Sequence, residues 1–440
     1  MWLLPAFSAL SRNALRIFYR LDLAGEGVPE DGPVLLVANH PNSLLDPAMV
    51  AAAARRPVRF LAKAPLFGHP GVGWLVKGAG AIPVFRVQDD MGSTEQNQDT
   101  FRAVWDALAD GDAVGIFPEG TSHSEPSLVP LKTGAARIAL GAAAKTGGAF
   151  PILPVGLSFR DKATFRSGAV AVVGDPVEWE DLAHAGPEDR DTVRLLTARI
   201  DEALRDVTIN LERWEDAPLV EAAEAIYAAE LPVEDSPDAR VARLAEATEG
   251  LARLRADGRA EWKRVAREVG AHARMLRVLG IKPAQLKAGV RVDVAAAWLV
   301  RQLVYFGLGA PVAALGILVY FIPYRLTGLL ADRFVKDEDV RATFKVLVGG
   351  LLHIVWTAAI TGIVGWRFGW FAAVCVLVGL PLAGFVTMHV AERWKSATAE
   401  ARRFFLRARR RRELAKLRTR QRELAVHLHE LWEQVRASVR

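Results

Sequence analysis

A histidine six residues ahead of an aspartate, in the stretch VLLVANHPNSLLDPAMV, is the strongest chemical signal in this chain. Asn39 and His40 directly follow an apolar run that ends at Val37. A carboxylate on one imidazole nitrogen fixes the tautomer and supports the imidazolium formed on proton uptake. The other nitrogen is then free to act as general base toward a hydroxyl. On a continuous helix six residues turn through about 600°, which leaves the two side chains on different faces. His40 and Asp46 therefore meet only if Pro41–Leu44 forms a turn before a helix starts, and Pro41, Asn42 and Ser43 suit such a turn. Spacing alone equally allows His40 to be a capping or internally satisfied histidine.

Two further segments carry groups of the same kind. In GIFPEGTSHSEPSLVPLKTGAARIAL an apolar run ends at Phe117, and Pro118, Glu119, Gly120, Thr121 and Ser122 follow. Gly120 permits close backbone approach to a ligand, while Glu119 and the hydroxyls of Thr121 and Ser122 offer acceptors and donors. Lys132 lies just ahead of a helical stretch, where a cation and free backbone N–H groups make an anion site; taken alone it also fits an exposed turn lysine. In KGAGAIPVFR, Arg86 sits past a short apolar run and can clamp a phosphate or serve an edge salt bridge.

The elements that must position these groups alternate along the chain. Val34–Val37, Arg59–Leu61, Ile82–Phe85, Val114–Phe117, Ile152–Val155 and Val170–Val173 read as buried strands, with helices such as Thr100–Ala109 and Ala135–Lys145 between them. This pattern predicts an α/β domain over 26–230, a mixed, largely parallel sheet flanked by helices. The chemical groups fall at the carboxyl ends of strands, where open α/β sheets bind ligands. Strand signals then vanish. Residues 231–293 read as a helical linker region that begins at a Pro- and acid-rich stretch, Leu231–Asp238.

At 440 residues with 51% hydrophobic and 24% charged residues, the chain is neither disordered nor confined to one small core. Its single cysteine, Cys375, excludes an internal disulfide, and no Cys/His cluster suggests a metal site. The net charge of +6 suits nucleic acid, an acidic substrate or an anionic membrane, and no nucleic-acid module accompanies the arginines. Residues 1–25, with Arg12, Arg16 and Arg20 among Trp2, Phe7, Ile17 and Phe18, read as an amphipathic interfacial helix, or as one packed on the domain, rather than a signal peptide. Residues 294–392 are strongly apolar. Spans are expected at 346–365 and 368–390, preceded by a broken or re-entrant segment at 303–324 where Gly309 and Pro311 interrupt the run. That arrangement keeps the catalytic domain and the basic tail, 393–440, on the cytoplasmic face of a cell membrane. The tail's leucines, Leu406 to Leu431, form a stripe open to self-association, and its arginines suit anionic lipid.

In order and spacing these segments resemble the glycerophosphate and lysophospholipid acyltransferase superfamily. Its four blocks correspond here to Asn39–Asp46, Gly80–Arg86, Phe117–Thr121 and Pro151–Gly156. One extra residue between histidine and aspartate, and Ser122 where the superfamily carries an arginine, are similar to the fungal-type branch that acylates glycerol 3-phosphate or dihydroxyacetone phosphate. The resemblance implies His40 as base with Asp46 orienting it, and direct attack of the acceptor hydroxyl on an acyl thioester. Acyl-CoA or acyl carrier protein would be co-substrate, with no cofactor. Arg86, Glu119, Gly120 and Thr121 would hold the glycerol-phosphate head, supported by Asn39 and Ser122, and Lys132 is the candidate replacement for the missing arginine. A 1-acylglycerol-3-phosphate acceptor, a serine hydrolase using Ser122 or Ser124, and a non-enzymatic lipid scaffold are the alternatives. The hydrolase lacks a G-x-S-x-G elbow.

Overall fold

The structure is a computed structural model that describes residues 4–25, 27–70, 72–84, 94–256, 260–287 and 292–437. It separates into two compact units. The first comprises Met1–Trp214, Glu234–Glu249 and Asp337–Thr343, and the second Glu215–Val233, Gly250–Lys336 and Phe344–Arg440.

The first unit is a seven-stranded sheet with helices on its faces. In chain order it runs α1 (Leu4–Phe18), β1 (Tyr19–Gly25), β2 (Val34–Ala38), α2 (Leu45–Ala54), β3 (Val58–Lys63), α3 (Gly73–Gly78) and β4 (Ile82–Val84). Then come α4 (Thr94–Ala109), β5 (Ala113–Ile116), α5 (Gly134–Thr146), β6 (Ile152–Phe159), β7 (Ser167–Val173) and α6 (Arg190–Asp206). The strand order is β1-β7-β6-β2-β5-β3-β4, and only the β6–β7 pair is antiparallel. The expected mixed, largely parallel sheet is therefore present. All five residues of β2 are buried, as a central strand covered on both faces requires. Leu35, Val37, Leu108, Val114, Ile138, Leu140, Ile152, Leu196 and Ile200 share one core.

One strand escaped the sequence reading. Residues 19–25, expected to continue the N-terminal helix, form β1 and pair in parallel with β7. Tyr19, Leu21 and Leu23 alternate with Arg20 and Asp22, the period-two pattern of a half-buried strand. The helix before it, α1, packs Ser8, Ser11, Leu15 and Phe18 inward against the domain and leaves Leu10 and Ile17 exposed.

The second unit is helical. It contains α7 (Ala217–Glu230), the end of α8 (Pro237–Ala256), α9 (Ala260–Leu279), α10 (Val292–Phe334), most of α11 (Glu338–Phe368), α12 (Trp370–Arg409) and α13 (Arg411–Ala437). The leucine stripe of the tail is covered within the chain. Leu424 and Leu431 are buried with Ile226, Val265 and Val269, while Leu406, Leu414 and Leu417 pack near Leu276 and Ile281.

Three helices, Ala296–Phe334, Glu338–Phe368 and Trp370–Leu406, are long and apolar enough to cross a membrane. This corrects the expected break at 303–324: α10 is one continuous helix containing Pro311 and Pro323. A proline removes the N–H that would bond the carbonyl four residues earlier, and a spanning helix tolerates this where a neighbour supplies a donor. For Pro323 that carbonyl belongs to Val319, and the Trp356 indole of α11 donates to it at 2.9 Å. Helix α10 also lies antiparallel to α12. Thr387 Oγ1 donates to the Ala313 carbonyl at 3.2 Å, and Arg393 Nε donates to Gln302 Oε1 at 2.9 Å.

Candidate active site

Three neighbouring parallel strands, β5, β2 and β6, end at the same edge of the sheet, and the residues that follow them build the site. After β2, Asn39 continues the pairing through its side chain. Its Nδ2 donates to the Leu157 carbonyl at 3.0 Å, and its Oδ1 accepts from Leu157 N at 2.7 Å. The amide thus fixes the start of the His40 turn to β6.

Residues 41–44 then form the turn that the spacing demanded. Leu45 N donates to the Asn42 carbonyl at 3.1 Å, and Ser43 takes a left-handed φ of 48°. Helix α2 begins at Leu45, so Asp46 falls in its first turn, where the helix dipole favours a carboxylate. Across this turn His40 Nδ1 lies 2.8 Å from Asp46 Oδ2, which also accepts from Asn42 N at 2.6 Å. Oδ2 already accepts from a backbone N–H, so the tautomer this geometry accommodates has Nδ1 donating to the same oxygen and Nε2 presenting its lone pair. Among the described residues Nε2 has no hydrogen-bond partner, and the His40 side chain is 18% exposed. The ring stacks on Phe117, with centroids 4.2 Å apart and planes 15° from parallel. Asp46 is fully buried, and its Oδ1 has no hydrogen-bond partner. Burial pushes its pKa up, against the His40 hydrogen bond and charge and the Asn42 N–H, which pull it down.

After β5, Glu119 turns inward. It is 2% exposed. Its Oε1 accepts from His40 N at 2.7 Å, and its Oε2 accepts from Val129 N at 3.3 Å and pairs with His123 Nε2. His123 N in turn donates to the His40 carbonyl at 3.1 Å. Glu119 and His123 therefore clasp the backbone of His40 on both sides. Gly120 has φ of 79°, and a Cβ there would lie 2.5 Å from Lys132 Nζ, so the lysine side chain crosses directly over this glycine. Lys132 and Thr121 are exposed. Ser122 Oγ donates to the Asp339 carboxylate, in the first turn of α11. The final block has its own steric requirement: a Cβ on Gly156 would lie 1.8 Å from the Val207 carbonyl.

The structure thus gathers Asn39, His40, Asp46, Glu119, Gly120, Thr121, Ser122 and Lys132 at one sheet edge, whereas Arg86 lies outside the described residues. Sequence reasoning did not find His123, Tyr19, Asn42, Lys162 or Asp339 as parts of this site. Lys162 follows β6 at the same edge, so strand order could have pointed to it. Nothing in the local sequence of Tyr19 marks it.

The acyltransferase family model matches residues 20–158, which span β1 to β6 and every described site residue except Tyr19, Lys162 and Asp339. This part of the chain is similar to glycerophosphate acyltransferases. The chain is 38% identical over 136 residues to glycerol-3-phosphate O-acyltransferase 2 of Saccharomyces cerevisiae, covering 30% of this chain and 18% of that protein. It is 27% identical over 282 residues to glycerol-3-phosphate O-acyltransferase 1 of the same yeast, covering 59% and 37%. A crystal structure of the 1-acyl-sn-glycerophosphate acyltransferase PlsC from Thermotoga maritima matches with 24% identity and a TM-score of 0.33, covering 48% of this chain and 80% of that one. The chain thus spans less than two-fifths of either yeast relative.

Proposed function

We propose that this protein is a membrane-bound O-acyltransferase that moves a fatty acyl group from a thioester to the 1-hydroxyl of glycerol 3-phosphate or dihydroxyacetone phosphate. The observation that carries the reading is the open Nε2 of an imidazole whose Nδ1 is held by a buried carboxylate. His40 takes the hydroxyl proton as the oxygen attacks the thioester carbonyl. The C–S bond breaks, and the imidazolium returns the proton to the leaving thiolate. No covalent acyl-enzyme is needed. Asp46 balances the transient imidazolium, and Glu119 acts through His40 as a positioning residue instead of touching the acceptor. Gly120, Thr121, Lys132 and Arg86 are the groups assigned to the glycerol-phosphate head.

The donor is acyl-CoA or acyl carrier protein, and phospholipid biosynthesis is the role that follows. The acceptor and both thioesters are water-soluble, which favours a cytoplasmic catalytic domain with the apolar helices in the cell membrane. Hydrolysis by Ser122 is disfavoured because its hydroxyl is bonded to Asp339, not to His40.

The test supplies purified protein with labelled acyl-CoA and a panel of glycerol 3-phosphate, dihydroxyacetone phosphate and 1-acylglycerol 3-phosphate. Product with the first two is expected, and turnover of the lysolipid alone would move the assignment to that acceptor. Loss of the His40 base is expected to lower kcat by about 10²–10⁴-fold in His40→Ala. Unchanged transfer would reject His40 as base. Lys132→Ala should raise the acceptor KM.

A further inference from the structure

The superfamily arginine that would follow Thr121 is Ser122 in this chain, so that position brings no cation, and Lys132, which crosses over Gly120, is exposed. A different strand delivers one to the same loop. Strand β6 runs parallel to β2 and beside it, and Arg160–Lys162 continue from its carboxyl end toward the His40 edge. The Lys162 ammonium donates to Ser124 Oγ at 3.1 Å and to the His123 carbonyl at 3.4 Å. Its backbone is tied to the catalytic turn. The Lys162 carbonyl accepts from the Tyr19 hydroxyl, which accepts from Asn42 Nδ2 at 3.0 Å, and Asn42 N is the donor to Asp46. Lys162 is thus held at both ends, by the histidine turn and by the F-P-E-G loop.

The side chain is half-buried, yet among the described residues no carboxylate lies within ion-pair distance of it. Three carboxylates face it from a distance: Asp46, engaged with His40; Asp339, engaged with Ser122; and Glu338. Burial lowers the Lys162 pKa, and these three raise it. A desolvated ammonium anchored by two neutral acceptors, with a donor left over and no direct counterion, fits an anionic ligand that supplies the missing charge.

We propose that Lys162 binds the phosphate of the acceptor, in place of the arginine that Ser122 replaces. This rests on the acyl transfer proposed above. The ligand chemistry is a phosphomonoester, common to glycerol 3-phosphate, dihydroxyacetone phosphate and 1-acylglycerol 3-phosphate. Glu338 and Asp339 oppose that phosphate, so removing a charge there strengthens binding.

The test uses the full-length protein with acyl-CoA. It measures kcat and KM for glycerol 3-phosphate and the inhibition constant of inorganic phosphate in wild type, Lys162→Ala, Lys162→Arg and Asp339→Asn. Lys162→Ala is expected to raise both KM and the phosphate inhibition constant on the order of 10- to 100-fold while kcat changes little. Lys162→Arg should restore most of the affinity, and Asp339→Asn should lower KM. A fall in kcat at unchanged KM, or unchanged phosphate inhibition, overturns the proposal. If the alanine variant fails to fold, Lys162→Gln and Lys162→Arg carry the same comparison. Wild-type protein that acylates none of the three acceptors rejects the acyl-transfer reading, whereas normal transfer with unaltered KM in the variants rejects Lys162 alone.

Discussion

At the scale of the residue, the His40–Asp46 pair sets the proposed catalysis against stability. Asp46 is fully buried, one of its oxygens is unpartnered, and its pKa is raised. A carboxyl whose folded pKa lies above its unfolded value holds its proton more tightly in the folded state. Below the unfolded value both states are protonated, and the group costs nothing. As pH rises from there through the folded pKa, the unfolded state ionises first and stability falls. Asp46→Asn removes that cost and keeps an oxygen to accept from Asn42 N. It is expected to melt at a higher temperature than wild type at pH 7, to match wild type near pH 3, and to lose most of its turnover. Thermal melts across that range with parallel kcat measurements decide it, and a variant that melts lower at pH 7 would contradict the assignment. His40, Asp46 and their turn were legible because spacing imposed a condition that geometry could meet. The inward turn of Glu119 was not. A sequence places a carboxylate after a strand but does not say whether it meets solvent or the backbone N–H of a neighbouring strand's loop.

At the scale of the element, the apolar strands were legible from continuous hydrophobic runs, and the turn at 41–44 from its residue types. Two elements were hidden for opposite reasons. The alternation that defines β1 begins directly where a helical pattern ends and was absorbed into it. Gly309 and Pro311 point to a break, yet α10 runs on through Pro311 and Pro323, and the donor that repairs the second proline sits on another helix, 37 positions away in the chain. That repair gives a double-variant test. Trp356→Phe leaves the Val319 carbonyl without a donor in an apolar setting and should cost about 1–3 kcal/mol. In Pro323→Ala the backbone N–H returns to Val319, so the added cost of Trp356→Phe in that background should nearly vanish. Unfolding of the four proteins in detergent measures the coupling; additive effects would remove the indole from this role.

At the scale of the whole molecule, an α/β domain followed by charged helices and long apolar helices was legible from the order of apolar and charged runs, while the division into units was not. The stretch Asp337–Thr343 is far along the chain, yet it belongs to the compact unit that holds His40, and the rest of α11 does not. Only folding reveals that Asp339 meets Ser122, since the two residues lie 217 positions apart. The consequence is mechanical. One continuous helix has its first turn fastened to the loop after β5 and its remaining length made of residues that suit hydrocarbon. A helix longer than the bilayer is thick answers by tilting, and one that is too short thins the bilayer or draws on its flanks. Tilt of α11 would pull on Ser122. Reconstitution into short-, medium- and long-chain phosphatidylcholine is therefore expected to change the KM for glycerol 3-phosphate with bilayer thickness, and Ser122→Ala is expected to flatten that dependence, as a gauge of membrane thickness would require of α11.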